Sequence, residues 1–138
     1  MTTVLIDTDI LIDIALGREG FVENSSKIID FAESNRIKAF MAWHTISNFY
    51  YIIDANSDKV STLDFIRDLL RFVKISPTST KDALFALDLN FTDFEDALQV
   101  SAALACKAQF IITRNTRHYK KSPLPALTPQ SFISKQIS

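Results

Sequence analysis

The chain has 138 residues, 47% of them hydrophobic, which is enough apolar material for the core of a single domain spanning residues 1–138. Its formal net charge of −1 excludes a generally basic nucleic-acid-binding protein, so any such binding must come from a local patch. Cys106 is the only cysteine, and the sequence has neither a signal-peptide pattern nor an apolar run of the roughly 20 residues that span a bilayer. We therefore expect a cytoplasmic protein without an internal disulfide and without a membrane partner.

Strand-like and helix-like patterns alternate along the chain. The apolar run TVLI at 3–6 predicts a buried strand that ends at Asp7, and helical spacing follows in DILIDIAL. The next predicted elements are a helix at 25–35, a strand at 37–43, a helix at 45–55, and a helix at 61–73 that leads into a short strand near FVKI. Helices at 80–89 and 97–108, the strand FIIT at 110–113, an extended edge segment and a last helix beginning near Pro129 complete the series.

This alternation predicts an α/β fold with three layers, in which helices cover both faces of a mostly parallel central sheet of about five strands. Sites in such sheets form beyond the carboxyl ends of the strands, especially where the strand order reverses. The polar residues that follow the predicted strands are therefore candidate site residues. They are Asp7, the segment 44–48, and the basic segment TRNTRHYKK at 113–121.

A cluster of carboxylates begins the helix that precedes the strand FIIT. In FTDFEDALQ, Asp93 and Asp96 are three residues apart and share one helix face, while Glu95 is expected to point toward solvent. An N-cap followed by an acidic first turn is the alternative without a function. Converging carboxylates repel one another unless a cation neutralises them, and Mg²⁺ or Mn²⁺ prefers such oxygen ligands and activates a bound water against a phosphodiester. Zinc is not expected, because the chain lacks CxxC and HExxH motifs.

Four segments in order, VLIDTDILID, TISNFYYII, FTDFEDALQVSAAL and FIITRNTRHY, and the later LTPQSF, resemble the PIN-domain family over essentially the whole chain. The resemblance implies a small α/β/α domain that is a Mg²⁺- or Mn²⁺-dependent ribonuclease with RNA as its substrate. Many members are toxins of bacterial toxin–antitoxin pairs. An antitoxin protein and a second copy of the chain are therefore candidate partners.

The family's site residues transfer position by position. Asp7, Asp93 and Asp96 fall on acidic positions, so the resemblance implies that they are catalytic residues and metal ligands. A position that is usually glutamate falls on Asn48, and one that is often aspartate falls on His118, so the implied acidic site is weakened. The implied auxiliary polar residues are Thr8, Asn48, Thr113 and Asn115.

Basic residues follow the strand FIIT and supply the local patch that the net charge lacks. Phosphate contacts are their expected use, and a solvated loop is the alternative. Asp9 and Asp13, four residues apart, are interpreted as a solvated face of the first helix. The predicted nucleic-acid-binding residues are Arg114, Arg117, His118, Lys120 and Lys121.

Two other functions compete with the ribonuclease hypothesis. The opening LIDTDILID also fits the hydrophobic-D-x-D start of haloacid-dehalogenase-like phosphatases, but the two glycines, at 17 and 20, leave no glycine-bearing acidic loop late in the chain. The second alternative is a PIN domain with a degenerate site, which binds RNA or a protein partner without cutting it.

Overall fold

The structure, a computed structural model, describes residues 1–55 and 58–137. It contains a sheet with the strand order β3-β2-β1-β4-β5, and each neighbouring pair is parallel. The five-stranded parallel sheet predicted from the sequence is therefore confirmed. The strands are β1 (Thr2–Ile6), β2 (Ile37–Met41), β3 (Val73–Ile75), β4 (Phe110–Ile112) and β5 (Ala126–Leu127).

Helices connect the strands close to the predicted positions. In the described part of the chain, no helix has both the length and the apolar composition needed to cross a membrane. The helices are α1 (Thr8–Leu16), α2 (Val22–Glu33), α3 (Trp43–Asp54), α4 (Lys59–Leu69), α5 (Thr80–Asp88), α6 (Phe94–Ala105) and α7 (Pro129–Ile137).

One local prediction was wrong. Trp43 was placed in the second strand, but that strand ends at Met41, and the amide of Thr45 donates to the carbonyl of Ala42 as α3 begins. The basic segment after β4 contains a short 3₁₀ helix, Thr116–Tyr119, for which the sequence analysis makes no prediction. A single 3₁₀ turn has too few residues to show a hydrophobic period in the sequence.

The alternating side chains of β1 enter two separate cores. Val4 and Ile6 join the core that contains residues of α1, α2, α3 and α7, whereas Leu5 joins the core that contains Val100 and Ala103 of α6. Because both faces of β1 are buried, its sequence is a continuous apolar run and not an alternating one. The predicted three-layer α/β/α arrangement follows from these two cores.

The loops that follow β1 and β4 begin side by side at one edge of the sheet. The chain builds β1, β2 and β3 in one direction and then places β4 and β5 on the other side of β1, so the strand order reverses between β1 and β4. The amide of Asp7, just after β1, donates to the carbonyl of Ile112 at the end of β4 across 2.9 Å. This is the position at which parallel α/β sheets place their binding sites.

Candidate active site

Asp7 lies at the centre of the site, between the end of β1 and the start of α1. Its Oδ1 atom accepts hydrogen bonds from the amide of Thr8 at 2.7 Å and from Nε2 of Gln99 at 3.1 Å. Its Oδ2 atom accepts from the hydroxyls of Tyr119 at 2.8 Å and Thr113 at 2.9 Å. Burial raises the pKa of Asp7, and the hydrogen bonds from Tyr119 and Thr113 act against this rise. Four donors from separate parts of the chain thus fix this carboxylate.

Asp96 faces Asp7 from the first turn of α6. Its Oδ1 atom lies 3.2 Å from the Tyr119 hydroxyl oxygen, and its Oδ2 atom lies 3.5 Å from Nδ1 of His118. Burial, followed by the nearby charges of Asp93 and Asp7, raises the pKa of Asp96, and His118 opposes this. The same phenolic oxygen therefore contacts both Asp7 and Asp96.

Asp93 is the N-cap residue of α6. Its Oδ1 atom accepts from the amide of Glu95 at 2.8 Å, which satisfies one of the free amides of the first helical turn. The cap leaves Asp93 at the wall of the same cavity as Asp7 and Asp96. Glu95 is exposed, as expected, yet it also lines this cavity.

A cavity of about 440 Å³ collects the predicted carboxylates from two separate segments, and Asn48 and Asn115 lie in its wall. Within residues 1–55 and 58–137, neither lysine nor arginine lines it, so no permanently charged basic side chain faces its five carboxylates. The cavity is therefore strongly negative. Its polar lining residues are Asp7, Thr8, Asp9, Asn48, Tyr51, Asp93, Glu95, Asp96, Gln99, Asn115 and His118.

The interpretation of Asp9 and Asp13 as a solvated helix face was wrong. Asp9 is partly buried, and its Oδ2 atom accepts from the amide of Arg114 at 3.2 Å and from Nδ2 of Asn115 at 3.1 Å. Burial and the charge of Asp7 raise the pKa of Asp9 to about 7. Asp13 is 0% exposed, because the face of α1 that carries it packs against the loop after β4.

The predicted nucleic-acid-binding residues divide into two groups. Arg114 is turned away from the cavity: its Nε lies 2.7 Å from Oδ2 of Asp13, and its guanidinium carbon lies 4.3 Å from the ring centre of Phe21. The other members line a second cavity of about 520 Å³, which shares Asp93, Asp96 and His118 with the acidic one. The second group consists of Arg117, His118, Lys120 and Lys121.

Asp9, Gln99 and Tyr119 form hydrogen bonds with the predicted site residues, although none of them is predicted there. Gln99 is 2% exposed and donates to Asp7, and its Nε2 is also 3.2 Å from the hydroxyl of Thr45. The one sequence signal for Gln99 was a large amide among the small and apolar residues of α6, three positions after Asp96. Tyr119 had no such signal, because its place depends on the 3₁₀ helix.

The donor set fits a hard divalent cation. In the described segments, no group of three or more His, Cys, Asp or Glu side chains already has the spacing of a metal site. The site nevertheless has an excess of oxygen acceptors, since Asp9 Oδ1 and Gln99 Oε1 are buried and lack a hydrogen-bond partner among the described residues. Raised carboxylate pKa values and surplus acceptors are both relieved by a cation that keeps several waters. Asp7 and Asp96 would hold it, with Asp93 beside them.

Comparisons with known proteins place this fold. A search of curated protein sequences found no significant match. VapBC2 from Rickettsia felis was solved with a DNA fragment from its promoter and is 15% identical to this chain. The alignment covers 92% of this chain and 98% of that chain, with a TM-score of 0.71. A toxin–antitoxin complex from Klebsiella pneumoniae is 22% identical, with 91% and 97% covered and a TM-score of 0.66. VapC20 from Mycobacterium tuberculosis, described as a sarcin–ricin loop cleaving toxin, is 10% identical, with 78% and 86% covered and a TM-score of 0.62.

These identities establish a shared fold, and the family follows from the sequence itself. A family model described as the PIN domain matches residues 3–117, from β1 into the 3₁₀ helix. The match includes Asp7, Asp93, Asp96 and the first part of the segment after β4, residues 113–117. The chain therefore belongs to the PIN-domain family, as its sequence motifs predicted.

Proposed function

We propose that the chain is a Mg²⁺- or Mn²⁺-dependent ribonuclease that hydrolyses RNA phosphodiester bonds. The observation that supports this most is the pair of adjoining cavities at the edge of the sheet. One has five carboxylates in its wall, and the other has Arg117, Lys120 and Lys121. An RNA whose phosphate backbone lies along the basic cavity would have a phosphodiester beside the carboxylates.

Each residue has a separate role in this proposal. Asp7 and Asp96 are the metal ligands, and Asp93 adds negative charge beside them while capping α6. The bound cation would supply an activated water and stabilise the charge that grows on the phosphate. Thr8 and Thr113 orient Asp7. Asn48 and Asn115 line the cavity and offer neutral amide oxygens as cation ligands.

The basic residues would bind the phosphates that flank the cut. Arg117, His118, Lys120 and Lys121 are suited to this, because they lie in the cavity that adjoins Asp96. Arg114 is left out of the substrate contacts in this proposal, since its guanidinium is paired with the buried Asp13.

The proposal extends to the role of a toxin held by an antitoxin in the cytoplasm. Its support is analogy of fold: one structural neighbour is described as a cleaving toxin and another as a toxin–antitoxin complex. A small antitoxin protein and a homodimer are the assemblies that this role would involve. Co-expression of the chain with the product of an adjacent small gene, followed by co-purification, tests the antitoxin.

A specific observation favours a second candidate, a PIN domain that binds RNA or a protein partner without cutting. Asn48 lies in the cavity wall where the family usually has glutamate, so that wall lacks one negative charge. A neutral amide still offers an oxygen to a cation but attracts it less strongly. Activity and binding must therefore be measured separately.

The test uses the purified chain, a fluorescent single-stranded RNA, and Mn²⁺ or Mg²⁺ with a chelator control. Asp7→Asn and Asp96→Asn are expected to lower the cleavage rate by about 100-fold or more, because each removes a charge from the cation site. Asp30→Asn is the matched control, since Asp30 is exposed on α2, the helix that leads to the opposite edge of the sheet. Asn48→Glu should raise both Mn²⁺ affinity and cleavage.

The outcomes separate the candidates. Equal residual cleavage by the wild type and by Asp7→Asn would identify a contaminating nuclease and refute the ribonuclease proposal. RNA binding that is lost with Arg117→Met, in a protein that never cleaves even after Asn48→Glu, would establish the binding module instead.

A further inference from the structure

Asp7 has no free lone pair for a cation. An ionised carboxylate offers about four acceptor sites on its two oxygens. In this structure four donors occupy them: the Thr8 amide and Gln99 on Oδ1, and the Thr113 and Tyr119 hydroxyls on Oδ2. A cation that binds Asp7 must therefore displace one of these donors.

Three of the four donors are held in place by other contacts. The Thr8 amide belongs to the backbone at the start of α1. The Thr113 hydroxyl also accepts from the amide of Asn115 at 3.1 Å, and Thr113 is 0% exposed. Gln99 is almost completely buried, and its amide also reaches the hydroxyl of Thr45. Displacing any of these would break a second interaction inside the protein.

The fourth donor, Tyr119, differs because its second contact is Asp96, the other proposed metal ligand. One phenolic hydrogen cannot be donated to both carboxylates at once, so it belongs to the shorter contact, 2.8 Å to Asp7, and the 3.2 Å contact to Asp96 lacks a hydrogen from the phenol. The hydroxyl oxygen therefore lies between the two groups that a cation would join. It is the donor that a cation can replace at the lowest cost.

The ring of Tyr119 keeps the hydroxyl in that position. Tyr119 is 3% exposed and belongs to the core formed with α6, and its ring centre lies 6.4 Å from that of Phe91. The ring is fixed by packing, so the hydroxyl returns to the two carboxylates whenever no cation separates them. A phenylalanine in its place would preserve the packing and remove only the oxygen.

We propose that the Tyr119 hydroxyl is a gate that competes with the divalent cation for Asp7 and Asp96. The inference rests on the proposed metal-dependent function and deepens it. It makes Tyr119 a positioning residue that sets the cation concentration at which the site is filled. Removing the hydroxyl frees an acceptor on Asp7 and takes away the oxygen that lies between the two carboxylates, and both changes favour cation binding.

The test measures Mn²⁺ binding by titration calorimetry, with no RNA present. Tyr119→Phe is expected to bind Mn²⁺ about 10-fold more tightly than the wild type, the effect of losing one hydrogen bond to a charged group. Tyr50→Phe is the matched control, because Tyr50 lies on α3 outside both cavities, and it should bind as the wild type does. Asp7→Asn should remove the binding. Tyr119→Leu, which also lacks the hydroxyl, is the second variant and should share the higher affinity.

The results distinguish the proposed competition by Tyr119 from the metal-dependent function on which it rests. If the wild type binds Mn²⁺ and Asp7→Asn does not, but Tyr119→Phe binds equally or more weakly, then the gate is refuted and the metal-dependent site stands. If neither the wild type nor Tyr119→Phe binds Mn²⁺ at millimolar concentration, both proposals fail. Binding that becomes detectable only in Tyr119→Phe would support the gate directly.

Discussion

Replacing Arg114 by methionine removes the main partner of the buried Asp13. The Asp13 carboxylate is 0% exposed and has two basic neighbours, Arg114 Nε at 2.7 Å and Arg18 Nη1 at 3.4 Å. After the substitution only the longer contact remains, and Arg18 is also the more solvent-exposed partner, with 42% of its side chain accessible. The buried charge of Asp13 would then be poorly compensated.

The expected loss of stability follows from this geometry. Removing one partner of a buried ion pair costs about 3–5 kcal/mol, and the remaining Arg18 contact places the cost near the lower value. The lost contact between the guanidinium and the ring of Phe21 adds about 0.5–1 kcal/mol. Arg117→Met is the matched control: Arg117 is exposed, so its replacement should change the free energy of unfolding by no more than about 0.5 kcal/mol.

The size of the loss should depend on pH. Burial raises the pKa of Asp13 above its ordinary value of 3.8, and Arg114 is the largest influence against that rise. Without Arg114 the pKa of Asp13 in the folded protein rises further, so the folded state binds a proton more tightly than the unfolded state does. A carboxyl group whose pKa is raised on folding does not lower the free energy of unfolding below its unfolded pKa. It lowers this free energy increasingly as the pH rises toward the folded pKa. The deficit of Arg114→Met should therefore be larger at pH 8 than at pH 5.

Urea unfolding of the wild type, Arg114→Met and Arg117→Met at both pH values measures these differences. The reasoning is refuted if Arg114→Met and Arg117→Met are equally stable at pH 8, or if the deficit of Arg114→Met does not shrink at pH 5. For RNA affinity the order of the two variants should be reversed, with Arg117→Met more affected than Arg114→Met. Arg117→Met should weaken it and reduce its dependence on salt, because Arg117 lies in the basic cavity.

Two further predictions separate structure from chemistry among the carboxylates. Asp93→Ala should lower the free energy of unfolding by about 1 kcal/mol through loss of the cap on α6, whereas Asp93→Asn should keep the cap and lower only cation affinity, as thermal melts and Mn²⁺ titrations would show. An equal loss of stability in both variants would contradict the capping role. The pKa of Asp9 is raised to about 7, so its ionisation in the metal-free fold is a cost that increases as the pH rises from about 4 to 7. Asp9→Asn should consequently raise the melting temperature of the metal-free protein at pH 8 and change it little at pH 4, and the reverse pattern would show that Asp9 stabilises the fold as an anion.

The sequence predicted the fold and the convergence of the acidic segments because both depend on short-range patterns. A continuous apolar run is sufficient to identify β1, and parallel strands bring their carboxyl ends to one edge, so Asp7 and the residues after β4 had to meet. The N-terminal position of Asp96 on α6 directed it to the same edge. These steps require no knowledge of individual side-chain contacts.

Other features depend on partners far apart in the chain and could not be predicted from local patterns. Asp13 looked like a solvated charge, because nothing near it in sequence shows that Arg114 packs against it. Tyr119 stood in a basic run, and its place between the two carboxylates depends on the 3₁₀ helix and on the ring packing against Phe91. The structure therefore corrected the roles of side chains far more than it corrected the positions of strands and helices.

The backbone hydrogen bond from Asp7 to Ile112 makes the two proposed metal ligands unequal in their local dynamics. Asp7 belongs to the hydrogen-bonded centre of the sheet, so its amide should exchange with deuterium only when β1 and β4 separate, an event close to global unfolding. Asp96 lies in the first turn of α6, where helix ends open at much lower cost. Local opening of the acidic site is therefore expected to be easier on the side of α6 than on the side of β1.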